Sequence, residues 1–218
     1  MRTYNQFCGL AKALDVIGDR WTLLIVRELL IGGPLRYTDI QRGLPGIATN
    51  LLADRLRALE AAGVVARADP APPIATALFS LTEWGTQLRP VIMALGAWAR
   101  PLLGASSKGH AFLSHWLVLP LETFLADRTP SRPAVRIELR TGEHAMVLET
   151  TGTRAVRVRA GAVDSPHAVL AGPPELIIGV LVGRVGLAAA LKRGLRVEGD
   201  RKALRRFVPK DAGELRAA

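Results

Sequence analysis

The chain has 218 residues, one cysteine, and 29 Lys+Arg against 19 Asp+Glu, a formal net charge of +10 that suits a polyanionic partner. A single cysteine excludes an internal disulfide framework, and the longest apolar runs, Trp116 to Leu121 and Leu176 to Val182, are far shorter than the roughly 20 residues of a helical membrane span. The start, Met1-Arg2-Thr3-Tyr4-Asn5-Gln6, lacks the apolar core of a secretory signal, so a cytoplasmic protein with no membrane partner is expected.

In chain order, helices are predicted over Phe7 to Ile17, Arg20 to Ile31, Tyr37 to Arg42 and Ile47 to Ala62. Gly43-Leu44-Pro45-Gly46 separates the last two, and Gly63-Val64-Val65 ends the fourth helix and opens a strand. Asp69 to Pro73 cannot be helical, and Ala77 to Leu81 returns as a second strand. A short helix, a tight turn, a leucine-spaced helix and a strand pair read as a winged helix-turn-helix, so double-stranded DNA is the first partner to consider. Thr82 to Arg100 reads as a further helix.

Pro101 to Gly109 collects small residues, and the pattern changes across it. The expected division is a DNA-binding and dimerisation domain over 1–104, a helical linker over 105–131 and a smaller α+β domain over 132–218. His110 to Ala126 reads as largely helical. Strands follow over Ala134 to Arg140, Ala145 to Thr150, Ala155 to Ala160 and His167 to Leu170. Helices over Pro173 to Gly183 and Gly186 to Lys192, a strand over Leu195 to Glu198 and a basic helix from Gly199 that frays after Pro209 complete an α+β chain.

Charge is unevenly spread: eleven Lys+Arg face eight Asp+Glu in residues 1–104, and eighteen face eleven in 105–218. Recognition therefore rests on a few placed side chains rather than on bulk basicity in the first half. At about 100° per residue, Ile47, Leu51, Leu52, Leu56 and Leu59 share the core half of the fourth helix. Thr49, Asn50, Ala53, Asp54, Arg57 and Glu60 share the other half. The start of this helix enters the major groove in a helix-turn-helix, so Thr49, Asn50, Ala53 and Asp54 are the candidates to meet base edges. The Asn50 amide matches adenine N6 and N7, and Arg57 suits a phosphate. Arg36 and Tyr37, opening the third helix, and Arg20, opening the second, are further phosphate candidates. A solvated polar face is the alternative for each. Arg55 lies on the core side, so its stem is expected to pack inward and its guanidinium to meet a carboxylate. The wing tip, Pro70 to Ala75, carries no Lys or Arg.

Cys8, Gly18-Asp19-Arg20-Trp21-Thr22, Leu35-Arg36-Tyr37-Thr38-Asp39-Ile40, Gly46-Ile47-Ala48-Thr49-Asn50-Leu51-Leu52, Arg55-Leu56-Arg57-Ala58-Leu59-Glu60 and Ser80-Leu81-Thr82-Glu83-Trp84-Gly85, in that order, resemble the HxlR-type transcriptional regulators. The resemblance covers about residues 6 to 103. It implies a bacterial regulator that binds inverted repeats as a homodimer through its terminal helices. Dimer contacts would then come from Phe7, Leu10 and Leu14 with Val91, Leu95 and Trp98, residues that could instead complete the monomer core. The bare wing tip departs from the family pattern. Some members sense oxidants through a cysteine placed like Cys8, which requires an exposed thiol of lowered pKa; a small buried helix residue is the commoner fate.

Gly172-Pro173-Pro174-Glu175-Leu176-Ile177-Ile178-Gly179-Val180-Leu181-Val182-Gly183, followed by Gly194 to Asp200 and a basic stretch, resembles the close of a sterol-carrier-protein (SCP2-like) domain. That fold packs helices on a twisted sheet and can hold an apolar molecule between them. The resemblance makes Leu176, Ile177, Val180 and Leu181 candidates to line a ligand pocket; otherwise they fill the core.

His110, His115, His144 and His167 are too scattered for a metal motif, and no nucleophile elbow is present, so neither an enzyme nor a cofactor is expected. The expected function is transcription regulation by a dimer on a pseudo-palindromic operator, modulated by an apolar small-molecule effector in the second domain. A thiol-based redox regulator using Cys8 and a lipid-binding carrier are the alternatives.

Overall fold

The computed structural model describes residues 3–68, 76–99, 102, 109–142 and 144–209. They form two compact units, Met1–Ala111 and Phe112–Ala218. The wing tip from Pro70 to Ala75 and most of the Pro101 to Gly109 stretch lie outside the described residues. The chain is mixed α+β, a winged helix-turn-helix followed by a separate sheet-containing unit.

The first unit contains α1 (Gly9–Ile17), α2 (Thr22–Gly32), β1 (Leu35–Arg36), α3 (Tyr37–Arg42), α4 (Thr49–Ala61), β2 (Val65–Ala68), β3 (Leu78–Leu81), α5 (Glu83–Thr86) and α6 (Arg89–Trp98). Its core joins Ile25, Val26 and Leu29 of α2 to Ile40 of α3, Leu52, Leu56 and Leu59 of α4, and Val65 and Phe79 of the sheet. The α4 leucines recur at the spacing that keeps one helical face inward. Leu51 is half-buried beside them. Burial of one such leucine contributes roughly 1.5–3 kcal/mol.

The turn between α3 and α4 passes directly over α2. A Cβ on Gly43 would stand 2.1 Å from Oε2 of Glu28, a carboxylate that is 3% exposed and paired with Arg27 Nη2 at 2.7 Å. Any larger residue there would force the Glu28 carboxylate, held by Arg27, to move.

The wing is a three-stranded antiparallel sheet in the order β1-β3-β2, with Leu35 opposite Phe79 and Val65 opposite Leu81. β1 carries the third strand in two residues, too few to show alternation in the sequence. The single helix expected over Thr82 to Arg100 is two helices. Pro90 has no N–H for the Thr86 carbonyl, and its ring would clash there, so α5 stops and α6 restarts with proline in its first turn. The Thr82 hydroxyl caps α5 by accepting from Gly85 N at 3.0 Å.

The second unit opens with a 3-10 turn over Ser114–Leu117 and α7 (Val118–Phe124), then β4 (Leu125–Asp127). The largely helical segment expected over His110 to Ala126 is therefore shorter. Residues 114–127 fall within this second compact unit. Pro120 lies in the first turn of α7, where no intrahelical donor is needed. β4 pairs antiparallel with β10 (Phe207–Pro209), which also corrects the basic helix expected from Gly199: α10 (Arg201–Leu204) is one turn long, and a strand follows. The fraying expected beyond Pro209 lies outside the described residues.

Arg206 fixes this pairing. Its Nε and Nη2 donate to Asp127 Oδ1 and Oδ2 at 3.1 and 2.7 Å, and Nη2 also donates to Thr129 O at 2.9 Å. Both side chains are buried, so Nη1 also needs a partner, and it donates to Pro133 O.

The main sheet contains β5 (Arg136–Thr141), β6 (His144–Thr150), β7 (Val156–Ala160), β8 (Ala168–Ala171) and β9 (Arg196–Gly199), in the order β7-β6-β5-β8-β9. All neighbours are antiparallel except β5 and β8. Register places Ile137, Leu139, Met146, Leu148, Val158 and Leu170 on one face, all buried. The other face carries Arg136, Glu138, Arg140, Glu149, Arg157 and Arg159. Residues 161–167, the crossover from β7 to β8, run over that second face, where Val163 N donates to Glu138 Oε2 at 3.1 Å. α8 (Pro174–Leu181) and α9 (Leu187–Lys192) lie between β8 and β9 in sequence.

Candidate nucleic-acid interface

α4 begins at Thr49, and its first turn is bound to α3 by two hydrogen bonds. Tyr37 Oη donates to Thr49 O at 2.6 Å, and Gln41 Nε2 donates to Thr49 Oγ1 at 2.9 Å. Tyr37 and Gln41 stand four apart on one face of α3, so both reach the same residue. The role of Gln41 was not read from the sequence, although its spacing from Tyr37 is the signal that could have shown it. Tyr37 is half-buried and acts on α4.

Thr49, Asn50, Asp54 and Arg57 are exposed, and Ala53 is half-buried between them. Asn50 has no hydrogen-bond partner among the described residues. Arg57 pairs with Asp54 one turn earlier, an exposed contact worth about 0–1 kcal/mol that a phosphate can displace. Arg36 is exposed at the N-cap of α3, and Arg20 is exposed in the turn before α2. Arg67 on β2 adds an exposed cation near the wing.

Arg55 takes the place its helical angle predicts. Its side chain is 28% exposed, and Nη1 binds Asp19 Oδ2 in the turn between α1 and α2. The middle of α4 is thereby tied to the N-terminal helices.

The six candidate dimer residues are all exposed in the single chain: Phe7 fully, Leu10 at 69%, Trp98 at 76%, with Leu14, Val91 and Leu95 less so. They do not complete the monomer core. Only Ala11 of α1 is buried, and no residue of α6 is. An apolar groove of about 610 Å³ also opens along α1, lined by Ala13, Val16, Ile17, Val64, Trp84 and Leu88 among others.

Cys8 is not the small buried residue that a free cysteine more often becomes. It stands exposed at the N-cap of α1, where the backbone N–H groups of Ala11 and Leu10 hold its thiol below the ordinary value. In the second unit, Leu176, Ile177 and Leu181 are buried and Val180 is half-buried along α8. Among the described residues no three His, Cys, Asp or Glu side chains are grouped to hold a metal, and no helix is long and apolar enough to cross a membrane.

Residues 16–107 match the family described as HxlR-like helix-turn-helix. The uncharacterized HTH-type transcriptional regulator YvaP of Bacillus subtilis (strain 168) is 38% identical over 89 residues, 40% of this chain and 81% of YvaP. The HTH-type transcriptional regulator YodB of the same organism is 36% identical over 97 residues, 44% of this chain and 85% of YodB. The solved reduced form of YodB aligns at 34% identity and a TM-score of 0.39 over 43% of this chain and 92% of that chain. The diamide-treated form aligns at 33% identity and a TM-score of 0.38 over 44% and 96%. Through its first unit, the chain belongs to the HxlR family of helix-turn-helix transcriptional regulators.

Proposed function

We propose that the protein is a homodimeric transcriptional regulator that places two copies of α4 in successive major grooves of a pseudo-palindromic operator, with an apolar effector acting through an SCP2-like second domain. The observation that carries the reading is the exposed polar start of α4, anchored by Tyr37 and Gln41 while the Asn50 amide stays free. Asn50 reads adenine, Thr49, Ala53 and Asp54 border the neighbouring base edges, and Arg57, Arg36 and Arg20 take phosphates. Tyr37 orients the helix.

Dimerisation is supported by the exposed apolar residues of α1 and α6, whose burial at about 25 cal/mol/Å² gives a second copy its driving force. A dimer sets the two α4 helices one DNA turn apart, which supplies affinity that modest basicity does not. The SCP2-like reading of residues 132–218, with residues 105–131 leading into it, is supported by helices accompanying a five-stranded sheet and by the apolar inner face of α8. Leu176, Ile177, Val180 and Leu181 would line the effector pocket. An effector regulates only if it favours one dimer geometry over another.

Native mass spectrometry of the full chain tests the assembly. A dimer carrying a co-purified apolar ligand is the expected species, and Leu10→Asp with Trp98→Asp is expected to yield monomer that no longer shifts operator DNA. A wild-type monomer with no ligand would contradict both parts.

A second reading makes Cys8 a redox sensor, favoured by its exposed, pKa-lowered thiol. Cys8→Ser distinguishes it. A sensor loses its response to a mild oxidant, whereas an effector-driven regulator responds as wild type does.

A further inference from the structure

We propose that the β9 edge of the second unit docks on the phosphate backbone of duplex DNA, giving this regulator a second, sequence-independent DNA contact. The inference rests on the DNA-binding reading of the first unit and extends it to a unit that carries no DNA-binding motif.

β9 is an edge strand, since β8 is its sole neighbour among the described residues. Lys192 and Arg193 stand where the chain enters it, Arg196 lies on it, and Arg201, Lys202 and Arg205 follow where the chain leaves it. All six are exposed. A four-residue strand is about 13 Å long, so the cations flank it on a scale that meets several phosphates of a duplex carrying one charge per about 1.7 Å.

None of the six forms an ion pair with a described carboxylate. The acids in the same stretch are Glu198 and Asp200, and Asp200 Oδ1 accepts from Lys202 N at 2.8 Å as the cap of α10. In the first unit, by contrast, Arg27, Arg42, Arg55 and Arg57 each hold a carboxylate. Arg140, Arg159 and Arg206 of the second unit do so as well, whereas the six around β9 do not.

Charged edges also deter strand addition, but Arg196 alone lies on β9 itself, and the other five sit on flanking helices and turns. A surface that enters a membrane interface mixes cations with exposed large apolar side chains. Here Leu195, Ala203 and Leu204 are buried and Val197 is half-buried. Duplex DNA, which needs charge alone, fits better. Because both units belong to one chain, DNA held by the first is presented to the second at high effective concentration.

The test uses the full chain and two paired variants, Lys192→Gln with Arg193→Gln and Arg201→Gln with Lys202→Gln, alone and combined, with thermal unfolding as the check on folding. Anisotropy titrations across a salt series employ a random-sequence duplex and one from the region upstream of the protein's own gene. The combined variant is expected to reduce the slope of log Kobs against log salt by about two to four, at roughly 0.9 per phosphate lost, and each pair by about half of that. The loss is expected to be equal on both duplexes, leaving their affinity ratio unchanged. An unchanged slope overturns the proposal, as does a loss confined to binding of phosphatidylserine vesicles. A wild-type protein that binds both duplexes equally overturns the operator reading instead, while the slope still decides this one.

Discussion

The Tyr37 hydroxyl donates to the carbonyl of Thr49 at 2.6 Å, fixing the first residue of α4 to the first residue of α3. A helix that reads bases must hold its first turn steady, because that turn is what enters the groove. Tyr37→Phe keeps the ring and deletes the bond. Thermal unfolding is expected to show a loss of about 0.5–1.5 kcal/mol, and operator affinity is expected to fall more than stability does. Wild-type affinity in the variant would remove Tyr37 from the positioning of α4.

Gly43 faces a buried carboxylate, with no room for a methyl group beside Glu28 Oε2. Gly43→Ala is expected to destabilise by about 1–3 kcal/mol, on the order of other overpacking defects. Adding Glu28→Ala to Gly43→Ala is expected to cost less than the two single effects combined. Strict additivity in urea denaturation would place the strain elsewhere.

Asp127 and Arg206 form a buried pair that closes β4 onto β10. Asp127→Ala leaves the guanidinium buried without its carboxylate, a change expected to cost roughly 3–5 kcal/mol. The Arg55–Asp19 pair is more exposed, and a double-mutant cycle there is expected to give a coupling below about 1 kcal/mol. Equal couplings at the two sites would contradict the difference in burial.

Glu138 contributes to the pH dependence of the second unit. Burial alone would raise its pKa, but the Arg140 side chain at 2.6 Å and the Val163 N–H bring it below the ordinary carboxylate range. A folded pKa lower than the unfolded one adds stability that is fully present above the unfolded value of about 4.3 and is lost as pH falls through the folded value. Glu138→Gln is expected to flatten the acid limb of stability measured by urea denaturation between about pH 5 and pH 2. An acid limb as steep as that of wild type would assign the dependence to other carboxylates.

Much of the first unit is legible along the chain because its determinants are local. The leucine spacing of α4, its glycine stop and the angular position of Arg55 all follow from 3.6-residue periodicity. Pro90 marked the break between α5 and α6 and needed only to be weighed against the periodicity around it. β4 and β10 were hidden for a different reason. Leu125 to Asp127 is apolar enough to continue α7, and what turns it into a strand is a partner about Phe207 with Arg206 locking it, 79 positions from Asp127. The recognition face was legible as a polar stripe, but its anchoring by Gln41 depends on the crossing of two helices, which no single-helix pattern contains. Cys8 shows the same limit: its exposure and lowered pKa arise from the N-terminus of α1, which starts two residues later than the periodicity suggests.

The central claim is that the exposed start of α4 reads DNA sequence, and Asn50→Ala tests it most directly. Affinity for the duplex upstream of the protein's own gene, relative to a scrambled duplex of equal length, is measured for wild type, Asn50→Ala and Arg57→Ala at one fixed salt concentration. Asn50→Ala is expected to lower the ratio by about 1–3 kcal/mol, whereas Arg57→Ala weakens both duplexes alike. A preference for the upstream duplex that survives Asn50→Ala unchanged would contradict the account.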